Sequence, residues 1–345
     1  EPVRPPREGA HGIMTRIGVL GAGSWGTTLA DLLARKGHDV RLWAYEADVV
    51  RSINERHENE LFLAGRALDP RLVACADPFE AVDDAPIILS AAPSHVARGV
   101  TAPLDPGIRQ DAIIVSATKG IEAPGLLLPH AVLAESLPGR AVVALSGPSF
   151  AAEVHEGQPT AVVAAAEDPT VAAVVQDAFS TPKFRVYSND DLVGVELCGA
   201  LKNVVAIAAG ILEGLGLGNN PRAALITRGL AEMTRLGLAM GAKPMTFAGL
   251  AGMGDLILTA TGGLSRNRAL GMALAKGERL EQYTATHRTV AEGVNTARSA
   301  VGLAARYGVE LPITAQVAAI LFEGKAPKQA VGDLMERTLK AEQWR

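Results

Sequence analysis

Arg16-Ile17-Gly18-Val19-Leu20-Gly21-Ala22-Gly23-Ser24-Trp25-Gly26 joins a short apolar strand, Ile17 to Leu20, to three glycines in G-x-G-x-x-G spacing. A helical pattern follows to about Lys36. In a strand–loop–helix setting each glycine has its own task. Gly21 permits the tight turn, Gly23 lets a pyrophosphate approach the backbone, and Gly26 allows helix and strand to pack closely. The helix start adds free amide donors and a favourable dipole for phosphate. The reading is a dinucleotide site. The next strand, Val40 to Ala44, should end in an acid for a ribose 2′-hydroxyl or near an arginine for a 2′-phosphate. Here Tyr45 and Glu46 follow Ala44, Glu46 lies slightly late, and no arginine occupies the turn, so NAD and NADP both stay open.

Working outward, short apolar runs alternate with helical stretches. Pro86 to Ser90, Ala112 to Ser116, Ala141 to Leu145 and Ala161 to Ala165 read as buried parallel strands. After about Asp191 the alternation stops, and helices are expected near 192–213, 222–240, 293–307 and 312–322. The fold class is therefore α/β: an N-terminal Rossmann domain with a doubly wound, mostly parallel sheet (14–192), then an all-helical C-terminal domain (193–345). Residues 1–13, rich in Pro, Arg and Gly, read as a disordered leader ahead of Met14. The default ligand site is the cleft between the domains.

Composition narrows the partners. A net charge of −4 with interspersed signs argues against nucleic acid, so an anionic substrate would need a local group of cations. No apolar run reaches the roughly 18–20 residues that span a bilayer, so no integral membrane contact is expected. Cys75 and Cys198 stand far apart and read as reduced, packed thiols, which with the missing signal segment suggests the cytoplasm. The seven histidines show no ligand spacing, and no metal is expected.

Lys202 is costly where it stands. Val195 to Leu201 on one side and Val204 to Ala209 on the other form an apolar helix. An ammonium buried there loses hydration and its pKa falls, which suits it to proton transfer near neutral pH. A stem lying along the apolar face with its head in water is the alternative.

Several segments together resemble the bacterial-type NAD(P)-dependent glycerol-3-phosphate dehydrogenases: GAGSWG (21–26), PSH (93–95), ATKGIE (117–122), SGPSFA (146–151), GALKNVVAI (199–207), TRGLAEM (227–233), GMGDL (252–256), SRN (265–267) and AEGVNT (291–296). The resemblance implies reversible hydride transfer between NAD(P)H and dihydroxyacetone phosphate, yielding sn-glycerol 3-phosphate for phospholipid synthesis, in a homodimer. It implies that Lys202 is the general acid/base with Asp255 beside it, and that Lys119 is a second substrate-facing cation. Gly147 and Ser149 would contact the glycerol moiety, and Ser265, Arg266 and Asn267 the phosphate. Ser24, Trp25, Tyr45, Lys119, Ala151, Arg266, Val290 and Glu292 would complete the cofactor pocket with the three glycines. An arginine near Tyr45, frequent in the family, is missing.

The chemistry of this set is coherent. Hydride delivery to a ketone carbon builds charge on its oxygen, which a protonated lysine can neutralise. A planar guanidinium with neutral donors beside it suits a phosphate. Read singly, Asp255 is a turn or cap residue, Arg266 a solvated side chain, Ser149 a turn hydroxyl and Lys119 a helix-end cation. Two rivals remain: a β-hydroxyacid dehydrogenase, which would carry an S-G-G loop where Ser146-Gly147-Pro148-Ser149-Phe150 stands, and a non-catalytic NAD(P)-binding sensor.

Overall fold

The structure, a computed structural model, describes residues 14–123, 125–287, 291–339 and 341–342. The expected leader and Val290 lie outside the described residues. One eight-stranded sheet has the order β3-β2-β1-β4-β5-β6-β7-β8. Its strands are β1 (Arg16–Leu20), β2 (Asp39–Trp43), β3 (Val73–Cys75), β4 (Ile87–Ser90), β5 (Ile113–Ser116), β6 (Ala141–Ser146), β7 (Thr160–Ala165) and β8 (Phe184–Asn189). The order reverses between β1 and β4, which opens a crevice at the carboxyl ends of those strands. The glycine loop lies there.

Two features differ from the sequence reading. β7 runs antiparallel to β6, with Ser146 opposite Val163. The connection between them holds only the five-residue helix Ala151–His155, too short to carry the chain back for a parallel return. The start of β7 therefore sits at the crevice end of the sheet. Strands β3 and β8 were not anticipated, since β3 has three residues and β8 alternates buried with exposed polar positions. Both lie at the sheet's edges.

Beyond β8 the chain turns helical. The helix Leu192–Gly214 is the axis of the second layer and is buried on every side. By length and composition it is the one described helix that could cross a membrane, which corrects the expectation that no run is long enough. Its apolar window is wholly inside the protein, as befits a bundle core. Asp191 starts it: one carboxylate oxygen accepts from Gly194 N at 2.9 Å, and the other accepts from Lys243 N and Thr246 Oγ1 at 2.8 and 2.6 Å. Asn219–Ala239, Asp255–Thr261, Arg266–Ala275, Glu292–Arg306 and Pro312–Phe322 surround it. Glu232, from TRGLAEM, caps the last of these by accepting from the amides of Ile313 and Thr314. Burial pushes its carboxyl up to about 7.

Helix Arg266–Ala275 crosses the axis helix at glycines on both sides. A Cβ on Gly271 would lie 2.0 Å from the carbonyl oxygen of Ile207, and one on Gly210 would lie 2.0 Å from that of Arg268. The close approach sets the depth at which Asn267 meets Asn203, the neighbour of Lys202. Gly271→Ala must push the two helices apart, and overpacking of this kind costs about 1–3 kcal/mol. Thermal denaturation should show a lowered Tm; an unchanged Tm would mean the crossing has slack.

Candidate active site

The glycine loop is held against β2, because Gly21 N donates to the Trp43 carbonyl at 3.1 Å. Gly21 has φ +110°, and a Cβ on Gly26 would lie 2.0 Å from the Gly21 carbonyl oxygen, so turn geometry and packing demand these two glycines. Gly23 differs: a Cβ there would touch nothing in the protein. It borders open space at the start of helix Ser24–Lys36, which fits a pyrophosphate in its place. Trp25 Nε1 is buried with no hydrogen-bond partner, and Thr28 on the same helix donates to the Ala151 carbonyl at 3.3 Å. The loop and the SGPSFA segment thus form one wall suited to a dinucleotide. Tyr45 stands in the turn after β2, 84 % exposed.

Opposite this wall lie the charged groups. Ala117 N donates to Ser90 O at 2.9 Å and Thr118 Oγ1 to Ala92 O at 2.8 Å, which fixes the turn after β5 and aims Lys119 across the crevice. Its Nζ donates to Asp255 Oδ2 at 2.7 Å and to the Gly147 carbonyl at 3.1 Å. Gly147, at φ +146°, backs onto Val162, where a Cβ would lie 2.9 Å from Cα; the same carbonyl accepts from Ser149 Oγ at 3.0 Å.

From the axis helix, Lys202 Nζ donates to Asp255 Oδ1 at 2.5 Å and to Thr259 Oγ1 at 2.9 Å. Asp255 opens its helix just after a π-helical turn, Leu250–Gly254, in which a Cβ on Gly252 would collide with the Phe247 carbonyl. One carboxylate therefore bridges two ammonium groups, and Lys202 and Asp255 are both buried.

Burial drives the Lys202 ammonium down to about 7; Asp255 opposes that fall and Lys119 adds to it. Burial alone would raise the Asp255 carboxyl. The charges of Lys119 and Lys202 outweigh it and hold the carboxyl below its ordinary value. The outcome is a lysine that exchanges a proton near neutral pH beside a carboxylate that stays ionised.

The third wall comes from Ser265, Arg266 and Asn267. Ser265 caps its helix, accepting from Arg268 N at 3.2 Å. Arg266 at the first helical position is exposed. Asn267 is buried and spans two helices, donating to Asn203 Oδ1 at 2.9 Å and accepting from Gly293 N at 3.0 Å. That leaves one of its amide hydrogens for a ligand. Glu292, next to Gly293, accepts from Ser94 Oγ at 3.0 Å. Burial raises its carboxyl against the Ser94 hydrogen bond and the charges of His95 and Arg266. A Cβ on Gly120 would lie 2.5 Å from Ser94 Oγ, which returns the chain of contacts to Lys119. Among the described residues no three His, Cys, Asp or Glu side chains gather as a metal site.

Family models match both halves of the chain: the N-terminal part of NAD-dependent glycerol-3-phosphate dehydrogenase over residues 16–172 and the C-terminal part over 191–332. The chain belongs to the NAD-dependent glycerol-3-phosphate dehydrogenase family. A Geobacter sulfurreducens relative named glycerol-3-phosphate dehydrogenase [NAD(P)+] is 58 % identical over 332 residues, 95 % of this chain and 99 % of the relative. The Koribacter versatilis protein of the same name is 52 % identical over 96 % of this chain and all of its own length. The solved glycerol-3-phosphate dehydrogenase of Coxiella burnetii superposes with a TM-score of 0.91 at 42 % identity, covering 94 % of this chain and 99 % of that one.

This glycerol-3-phosphate dehydrogenase family member also places residues in the site that the sequence reading did not single out. Thr259 lies one helical turn after Asp255, on the same face, and that spacing was a usable signal. Asn203 directly follows Lys202, and Ser94 lies within the PSH segment; their partners come from distant segments that spacing does not reveal.

Proposed function

We propose that the protein catalyses reversible hydride transfer between NAD(P)H and dihydroxyacetone phosphate, giving sn-glycerol 3-phosphate, with Lys202 as general acid and base. The observation that carries this reading is the Lys202–Asp255–Lys119 triad, buried at Lys202 and Asp255 and tied to the SGPSFA wall through the Gly147 carbonyl. Residues 14–192 supply most of the dinucleotide site together with Lys119, Gly147 and Ser149, and 193–345 supply the rest of the substrate site. The bound nicotinamide cofactor supplies the hydride. Lys202 gives its proton to the ketone oxygen as negative charge develops there. Lys119 adds a second positive charge near that oxygen, and Asp255 holds both lysines in place. Gly147 and Ser149 orient the glycerol carbons. Arg266, with Ser265 and Asn267, takes the phosphate, whose binding positions the reacting carbon. The activity of relatives 50–58 % identical over nearly the whole chain supports this reading. It fits a cytoplasmic homodimer that feeds phospholipid synthesis.

The test follows absorbance at 340 nm with NADH or NADPH, offering dihydroxyacetone phosphate and, separately, a β-keto acid. Oxidation that requires the phosphorylated ketone is expected. Oxidation driven by the β-keto acid alone would replace the reading with the hydroxyacid one, and silence with a bound cofactor would favour a sensor.

A further inference from the structure

We propose that this protein prefers NADH over NADPH, and that Glu46 is the residue that discriminates. The inference rests on the dinucleotide reading above and adds which cofactor is selected. In a Rossmann crevice the adenosine ribose lies at the end of the second strand, beside the glycine loop. The Gly21–Trp43 hydrogen bond brings those two elements together here.

The charges at that corner are mostly negative. Glu46 is the first residue before helix Ala47–Arg56, its side chain makes no cap bond, and among the described residues its carboxylate has no hydrogen-bond or ion-pair partner. Asp48 follows in the first turn. The neighbouring turn after β3 is tied in by Trp43 Nε1 donating to the Ala76 carbonyl at 3.0 Å, and it brings Asp77. Two cations stand near. Arg51 is engaged by Asp48 at 2.6 Å, and Arg41, earlier in β2, has its Nε 3.6 Å from Asp39 with no hydrogen bond formed.

A 2′-phosphate carries about −1.5 to −2 charges at neutral pH. At this corner it would meet the free Glu46 carboxylate, with Arg51 on the same helix already paired to Asp48. The start of helix Ala47–Arg56 favours anions, but Glu46 and Asp48 already occupy that field. A 2′-hydroxyl, in contrast, can donate a hydrogen bond to Glu46.

The experiment is direct binding, independent of turnover: calorimetric titration of the whole protein with NADH and with NADPH, for wild type, Glu46→Gln and Glu46→Arg. Wild type should bind NADH at least about tenfold more tightly, a gap that one unfavourable charge contact can supply. Glu46→Gln should narrow the gap, and Glu46→Arg should bring NADPH level with or ahead of NADH. Equal or tighter NADPH binding by wild type overturns the preference while leaving the dinucleotide reading intact. A ratio unchanged in both variants removes Glu46 from selection. Binding of neither nucleotide would overturn the dinucleotide reading and this inference with it.

Discussion

Replacing Lys202 by methionine is expected to lower kcat for dihydroxyacetone phosphate reduction by about 10²–10⁴-fold, the usual worth of a positioned general acid. NADH affinity should stay within about twofold, since a tenfold change would need some 1.4 kcal/mol of lost contact and no contact of Lys202 reaches the glycine loop. The ammonium is buried, held by Asp255 at 2.5 Å and Thr259 at 2.9 Å, and has one donor left to offer a substrate oxygen. Methionine keeps the volume and removes the proton. Steady-state kinetics and a parallel NADH titration check both halves; wild-type turnover by the variant would take Lys202 out of the mechanism.

Asp255→Asn should be the more damaging change to the fold. Asp255 is the shared counter-charge of two lysines, and removing one partner of a buried ion pair costs about 3–5 kcal/mol. Chemical denaturation should show that loss, and Lys119→Met added to Asp255→Asn should recover part of it by removing the repulsion with Lys202. An Asp255→Asn protein as stable as wild type would show that the triad is not held by charge. The pH dependence has a definite sign. The folded-state pKa of Asp255 lies below its ordinary 3.8, so its stabilisation is present above that value and is lost as pH falls through the folded pKa. Wild type should show this acid loss and Asp255→Asn should not. The Lys202 pKa falls from 10.5 to about 7, so its burial is penalised below 7 and that penalty fades as pH rises toward 10.5.

What could be read from the chain alone was local. The glycine loop announces itself because its three glycines answer steric demands within a few residues of one another. The helical stretch around Lys202 is equally legible, since its apolar neighbours run unbroken along one segment. The triad is different. Lys202 and Asp255 are 53 residues apart and Lys119 and Asp255 are 136 apart, so no spacing rule joins them; the motif resemblance did. β8 escaped because an edge strand exposes alternate polar residues, and β7 ran opposite to expectation because its direction depends on what the short Ala151–His155 connection can span. Asn267 shows a further limit. The sequence marks it as polar and near Arg266, but that its amide also locks two helices together is a property of the packed molecule.

The central claim, that Lys202 moves the proton, is best tested by the pH dependence of kcat/KM in both directions. Ketone reduction consumes one proton, so the ratio of forward to reverse rates must change tenfold per pH unit whatever the mechanism. The titrating group decides which direction carries the change. With Lys202 at about 7, reduction should be level below that pH and fall above it. Oxidation of glycerol 3-phosphate should rise to the same point and then level off. Ionisation of the substrate phosphate acts on both directions alike and so cannot imitate the pattern. Mirror-image breaks near 7 that vanish in Lys202→Met are the result expected; breaks that persist in the variant, or none between pH 6 and 9, would contradict it.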